Sequence, residues 1–403
     1  MIKIPQWVAT SSACALLLAG CGGGGSTPAT PPVAVTPPIA PVQPLPDTPV
    51  PAPVALAVKA TSYDNFKAVG LAPQQLPANF AGANARAYAD FSGRGVLDLF
   101  TATNTYDPQT STPASASASR FEFWRKGADG SYTRNASLLA SGAGCIHPRK
   151  ALVADFNGDG RPDVFVACHG YDAAPFPGEK NKVVLSQPDG SYAIRDASAD
   201  VGFFHAASAA DLNGDGRIDV VAVNNFDPQS AVAFINNGDG SFTRESGNRF
   251  PAAIGSKPYF SVELVDVDED GKPDLVLGGH EWNDNGVPGA ATVVLRNPGG
   301  FDFRNAEPVV LPALAGEGVV LDFVVGGSGA TRAIWVLRSS GGDGTFYGSR
   351  VVQKVLWPSL AASVASSLRP GQWIPWIIPA TVNGQKVIAS DAAQSGLVIP
   401  SGE

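Results

Sequence analysis

The sequence predicts an all-β fold, a propeller built from four-stranded blades. Three observations carry that expectation. A nine-residue acidic loop recurs, short β-branched runs flank it, and a second turn of the form Asp-Gly-Ser-aromatic recurs beyond. The acidic loops begin at Asp155, Asp211 and Asp266, so they stand 56 and 55 residues apart (211 − 155 and 266 − 211). A four-stranded unit repeated at that period reads as a propeller blade, and the repeat overrides the two or three domains that 403 residues would allow.

The chain opens with one cation, Lys3, and an apolar stretch from Val8 to Leu18. That stretch is too short to span a bilayer and reads as the core of a secretory signal over residues 1–20. It ends in Leu18-Ala19-Gly20-Cys21, which resembles the lipobox of bacterial lipoproteins. The resemblance implies that Cys21 is acylated and becomes the mature N-terminus. The alternative is a simple cleaved signal followed by a chance cysteine. With Gly22 after the Cys, where Asp is absent, the resemblance to lipoproteins further implies transfer to the outer membrane, with the lipid anchor as the sole membrane contact. Residues 21–58 form a tether, with four consecutive Gly followed by 11 of the 34 prolines. Extended at ~3.1 Å per residue, its residues 22–56 reach about 110 Å.

Residues 59–403 hold the repeats. The first loop is Asp155-Phe-Asn157-Gly-Asp159-Gly-Arg161-Pro-Asp163. The second runs Asp211-Leu-Asn213-Gly-Asp215-Gly-Arg217-Ile-Asp219, and the third Asp266-Val-Asp268-Glu-Asp270-Gly-Lys272-Pro-Asp274. Oxygen side chains occupy positions 1, 3, 5 and 9, and a Gly at position 6 permits a sharp turn. Arg161, Arg217 and Lys272 at position 7 can offer backbone carbonyls. Hard oxygen donors on a tight loop suit Ca²⁺, so about three calcium sites are expected. With Ca²⁺ bound, three Asp and one Asn leave a net −1 in the first two loops, and four Asp leave −2 in the third. The start resembles an EF-hand loop. The flanks, Val164-Phe-Val-Ala or Leu275-Val-Leu, are strands instead of helices, and position 12 has no Glu.

Strand-turn signals complete each blade as A, acidic loop, B, crossover loop, C, turn, D. The C-to-D turns are Asp129-Gly-Ser-Tyr132, Asp189-Gly-Ser-Tyr192 and Asp239-Gly-Ser-Phe242, with looser copies at Gly299-Gly-Phe301 and Asp343-Gly-Thr-Phe346. A degenerate acidic loop starts at Asp90, and Asp322-Phe-Val-Val-Gly-Gly and Thr381-Val-Asn383-Gly384 mark two further blades without ligand sets. In the loop at Asp90, Arg94 stands at position 5, where its guanidinium could replace the cation. The A strands then begin near 86, 151, 207, 262, 318 and 376, which gives six blades, with seven as the alternative. The last blade lacks strand D, and residues 62–71 are expected to supply it and close the ring. Pro358 to Leu368 is expected as a short helix, with Trp373 and Trp376 beside it as core.

The Asp-x-Asn-x-Asp-Gly loops resemble the FG-GAP or VCBS repeats, the propeller shared by integrin α-subunit heads and several fungal lectins. The resemblance spans roughly residues 60–403 and is specific in blades 2, 3 and 4. It implies calcium staples, adhesion, and binding of a glycan or protein.

That family places the acidic loops on one face of the disc and the D-to-A and B-to-C loops on the other. His147, His169, His205 and His280 then all fall on the face opposite the calcium. Crossover loops repeat an aromatic beside a short polar group: Tyr106-Asp107, Tyr171-Asp172, Phe226-Asp227 and Trp282-Asn283. Such pairs suit a sugar, or else the aromatics wedge between blades. Arg149, Lys150 and Glu281 complete the candidate ligand face with His147, His169, Tyr171, His205, His280 and Trp282. Cys145 and Cys168 are expected to form a disulfide there, with free thiols or zinc shared with the histidines as alternatives.

The net charge of −8 excludes nucleic acid as a partner. No Gly-x-Ser-x-Gly elbow, phosphate-binding loop or His-Glu-x-x-His is present. The expected function is a calcium-stabilised binding propeller on a cell-envelope lipoprotein, with a glycan or an envelope or surface protein as ligand. A structural scaffold and a polysaccharide-cleaving enzyme are the alternatives.

Overall fold

The computed structural model describes residues 83–402 with short internal gaps at 108–109, 140–142, 226–228, 248, 256, 284–287, 343–345, 369–375 and 391–396. Residue 55 is also described. Cys21, the signal, the tether, the strand at 62–71, Phe226-Asp227 and Trp373 lie outside the described residues.

The fold is all-β, in six sheets that follow one another along the chain. The first holds β1 (Ala83–Ala89), β2 (Asp98–Thr103), β3 (Phe121–Lys126) and β4 (Tyr132–Arg134). The second holds β5 (Pro148–Ala154), β6 (Asp163–Cys168), β7 (Glu179–Ser186) and β8 (Tyr192–Gly202). The third is β9 (Phe204–Ala210), β10 (Asp219–Asn224), β11 (Ala231–Asn236) and β12 (Phe242–Arg244). The fourth is β13 (Tyr259–Val265), β14 (Asp274–Gly279), β15 (Val293–Leu295) and β16 (Val309–Val310). The fifth is β17 (Val319–Gly326), β18 (Ala333–Ser339), β19 (Arg350–Leu356) and β20 (Ala362–Leu368). The sixth has three described strands, β21 (Ile377–Val382), β22 (Gln385–Ser390) and β23 (Val398–Pro400). All pairings are antiparallel and in sequence order, so each sheet is a meander and each a propeller blade.

Closure is visible in the core. Six apolar clusters occur, one in each seam between neighbouring blades. Phe91, Phe123 and Tyr192 fill the seam of blades 1 and 2. Phe156, Phe165 and Phe242 fill the next. The sixth cluster packs Tyr88 and Leu99 of blade 1 against Trp376, Ile378 and Val387 of blade 6, and so joins the ring's ends. The first strands of blades 1 to 5 are almost wholly buried, since each packs against the first strand of a neighbouring blade. Trp376 is core, as expected.

The turn chemistry explains the blade edges. Asp129, Asp189 and Asp239 each accept the Ser N–H two residues on, at 2.9 Å, through one carboxylate oxygen. These Asx turns set the C-to-D hairpins of blades 1 to 3. In blade 6 the acidic loop shrinks to Asn383-Gly384, both at positive φ, the geometry of a two-residue hairpin turn.

Two expectations are corrected. The segment Pro358 to Leu368 is a turn followed by strand β20, which pairs with β19 from Val355↔Ala362 to Arg350↔Leu368. The small Ala and Ser residues permit either state, and the open edge of β19 decides for strand. Asp343 to Phe346 is not a C-to-D turn. It belongs to the crossover between β18 and β19, and the turn between β19 and β20 is at 357–361.

Candidate functional site

The acidic loops join strands A and B in blades 2, 3 and 4. Their position-9 carboxylates are buried clasps. Asp163 accepts from the Phe156 N–H at 2.8 Å and the Ser186 N–H at 2.7 Å, which ties the loop to strand β7. Asp219 and Asp274 repeat this with Asn236 and Asn297 at 2.8 Å each. Burial pushes Asp163 and Asp274 up to about 6. Position 1 folds the loop itself. Asp155 and Asp211 accept the Gly158 and Gly214 amides at 2.7 and 2.8 Å. The third loop carries Glu269 at φ 63 where the others have glycine.

The donor sets fit a hard cation. Asp266, Asp268 and Asp274 offer oxygens within 4.8 Å of one another. Oδ1 of both Asp266 and Asp268 is buried with no hydrogen bond among the described residues. Asn157, Asp159, Asn213, Asp215 and Asp270 stand at the matching positions of the three loops. Of the position-7 side chains, Arg161 leaves its loop and reaches the Gln187 carbonyl at 2.7 Å. Arg217 and Lys272 pair with the position-5 carboxylates of their own loops, Arg217 with Asp215 and Lys272 at 2.8 Å from Asp270.

Blade 1 replaces that chemistry. Arg94 Nη2 lies 2.7 Å from Asp98 Oδ1, and its Nε donates to Ser92 Oγ at 2.8 Å. Asp90 accepts the Arg94 and Gly95 amides at 2.7 Å each. A guanidinium therefore sits inside the loop, bonded to the position-3 and position-9 side chains.

The opposite face gathers the histidines. Rings run in contact from Tyr106 through His147, His169, His205, Phe260, His280 and Trp282 to Phe346, across five blades. Most of this chain is a floor, not a surface. His147, His169, His205, Tyr106 and Tyr171 are buried. Burial is the main cause that holds the His147, His169 and His205 imidazoles well below their ordinary value, and that lowers His280 to about 4. Tyr171 donates its hydroxyl to the Ser111 carbonyl of blade 1, and Tyr106 accepts the Asp172 amide at 2.7 Å. These two tyrosines are wedges between blades 1 and 2. Trp282 packs on the blade 5 backbone, where a Cβ at Gly341 would stand 2.8 Å from its ring.

Other nominated residues separate from the face. Lys150 turns into the ring's interior, 2.6 Å from Glu263 of blade 4 and over the Trp376 ring of blade 6. Glu281 grips the buried Arg338 at 2.7 and 3.1 Å. Arg149 remains half-buried at the face, 3.4 Å from His147 Nε2. Cys145 and Cys168 are bonded, with Cα atoms 5.8 Å apart, and lock the segment before β5 to the end of β6. The exposed aromatic rings of this face are ones the sequence did not single out as ligand residues. Phe176 is 42% exposed, Phe346 44% and Tyr347 40%. Asp172, which the sequence paired with Tyr171, is exposed as well, and its charge reaches Tyr347. The signal of the three rings was present only as crossover-loop membership, and the misassigned Asp343 turn hid Phe346 and Tyr347.

Residues 155–222 and 211–277 match the FG-GAP-like repeat. The matched stretches contain the three acidic loops of blades 2, 3 and 4. No curated protein matches the chain. Among solved structures, a Bacteroides fragilis protein provisionally named a 6-phosphogluconolactonase is similar at 11% identity and a TM-score of 0.43, over 79% of this chain and 82% of that one. Saccharomyces cerevisiae Sqt1 aligns at 8% identity and a TM-score of 0.39, over 86% and 87%. The Halalkalicoccus jeotgali inulosucrase bound to kestose aligns at 13% and 0.36, over 69% and 84%. At these scores the likenesses carry no argument about activity.

Proposed function

We propose that this chain is a calcium-stabilised binding propeller carried by a cell-envelope lipoprotein. Its ligand, a glycan or an envelope or surface protein, rests on the face opposite the acidic loops. The observation that carries this reading is the group of exposed aromatic rings in the crossover loops, Phe176, Phe346 and Tyr347, on a face that also holds Arg149 and Asp172. Exposed aromatic rings beside charged groups suit a sugar's apolar ring face and hydroxyl rim, and equally the centre of a protein contact. The buried ring chain beneath gives that face a rigid floor, which lowers the ordering cost of binding.

The acidic loops are staples in this reading. Calcium at Asp155, Asp211 and Asp266 would neutralise clustered carboxylates and tie strands A and B together. The Leu18-Ala-Gly-Cys21 box and the Pro-rich tether support the lipoprotein reading and an outer-membrane location. Burial of His147, Lys150, His169 and Tyr171 favours binding over turnover, because general acids and bases must reach the substrate proton.

A glycan array probed with the full chain in Ca²⁺, paired with envelope cross-linking, tests the reading. Saturable binding to a glycan or one surface protein is expected, without cleavage of a polysaccharide panel. A stoichiometric co-purifying complex that leaves this face accessible would favour the scaffold instead.

A further inference from the structure

Two imidazoles and one carboxylate converge on a single spot of the face opposite the acidic loops, and a third imidazole, His205, touches one of the two. His169 Nε2 stands 2.9 Å from His205 Nε2 and 4.0 Å from Asp172 Oδ1. One nitrogen each of His147 and His169 and an oxygen of Asp172 all lie within 4.8 Å of one another. The cysteines take no part, since Cys145 and Cys168 are bonded to each other.

Tautomers decide what this spot accommodates. His169 Nδ1 lies 3.3 Å from the Gly170 carbonyl, which can only accept. Nδ1 therefore carries the proton, and Nε2 turns a lone pair towards the spot. Arg149 can only donate, and it lies 3.4 Å from His147 Nε2, which bears a lone pair as well. His205 has one proton to place. On Nε2 it bonds His169, and Nδ1 is then buried with no hydrogen bond, as is Asn225 Oδ1. The Asn225 side chain lies close enough to His205 to interact with it. With the proton on Nδ1 the two orphan atoms can pair. Two Nε2 lone pairs then face each other across 2.9 Å, a repulsion that a shared cation removes.

We propose that His147, His169 and Asp172 form a binding site for a divalent transition-metal ion, with zinc the best match and His205, in contact with His169, as the candidate fourth ligand. Imidazole nitrogen with one carboxylate is a donor set for zinc and its neighbours, whereas calcium prefers the all-oxygen loops. Two nitrogens on one tetrahedral zinc, each ~2.0–2.1 Å from it, stand about 3.3 Å apart. The 2.9 Å pair needs to open only slightly to reach that spacing. The Gly170 carbonyl supplies the outer partner that fixes a ligating imidazole. Exposed Asp172 is the entry side. Arg149, at the edge, is the competing cation.

The test is calorimetric titration of the full chain with Zn²⁺ in saturating Ca²⁺, which keeps the oxygen loops filled. One zinc per chain is expected. Asp172→Asn, a change at an exposed side chain, should weaken it by at least about tenfold. Arg149→Ala should tighten it, an effect that loss of folding cannot mimic. His169→Gln should abolish it. Co²⁺ in place of Zn²⁺ should give the intense visible bands of a tetrahedral nitrogen site. No zinc binding in Ca²⁺, or binding unchanged in both Asp172→Asn and Arg149→Ala, overturns the proposal and leaves His169–His205 as an ordinary hydrogen bond.

Discussion

Lys150 Nζ and Glu263 Oε1 meet at 2.6 Å, both side chains 2% exposed, although they come from the inner strands of blades 2 and 4. The contact skips a blade, so it spans the ring's interior. It joins β5 to β13 where no backbone pairing connects them.

This pair should be costly to break and cheap to replace. Glu263→Gln leaves a buried ammonium without its counter-ion and should destabilise by about 3–5 kcal/mol. The double variant Lys150→Met with Glu263→Leu should lie much closer to wild type. Urea denaturation of the three proteins checks this. Equal losses in the single and double variants would show that the ion pair itself holds the ring.

The Cys145–Cys168 bridge closes a loop with a sequence separation of 23. Replacing both by Ser should cost about 3 kcal/mol, chiefly by freeing the unfolded chain. The loss should match that seen on adding a reductant to wild type. A reductant without effect on the wild-type midpoint would contradict this.

Calcium removal should lower the melting temperature, and the effect should depend on pH. Burial holds Asp163 and Asp274 up near about 6. Their unfolded value is ~3.9, so between these limits the folded chain binds the extra protons. Their contribution to stability is present below about pH 4 and lost as pH rises through about 6. A cation on the deprotonated loops offsets that loss. The melting-temperature gain from Ca²⁺ over a chelator should therefore be small near pH ~4.5 and reach a plateau above about pH 7. A gain of the same size at both ends would contradict this.

Blade 1 should behave differently. Arg94 bonds Asp98 and Ser92 inside its loop. Arg94→Ala leaves the buried Asp98 short of a charged partner and should cost about 2 kcal/mol. Added Ca²⁺ should recover part of that loss in the variant. Thermal melts of wild type and variant, each with and without Ca²⁺, separate the two contributions. A variant as stable as wild type would mean that the guanidinium does not replace a cation there.

Much of this architecture was legible because the repeat writes itself into turn residues. Asp155, Asp211 and Asp266 set the period, and Asp129, Asp189 and Asp239 set the hairpins that end each blade. The cysteine pair was legible because the blade register put both residues at one end of blade 2. The ligand face was less so. A side chain's position along a strand end shows which face it approaches, but not whether it turns outward. Lys150 turned inward because Glu263, far away in sequence, supplies its charge partner. Tyr171 was covered because the Ser111 carbonyl of blade 1 accepts its hydroxyl. The segment at Pro358 became a strand because an open sheet edge outweighed its weak local preference.

The most direct test of the binding face is the Phe346→Ala/Tyr347→Ala double variant, compared with wild type on the same glycan array and in the same envelope cross-linking, both in Ca²⁺. Both rings are exposed, so the melting temperature should barely move. The account predicts a glycan or protein signal with wild type that the double variant loses. An identical pattern in both proteins, or no signal from wild type in either assay, would contradict it.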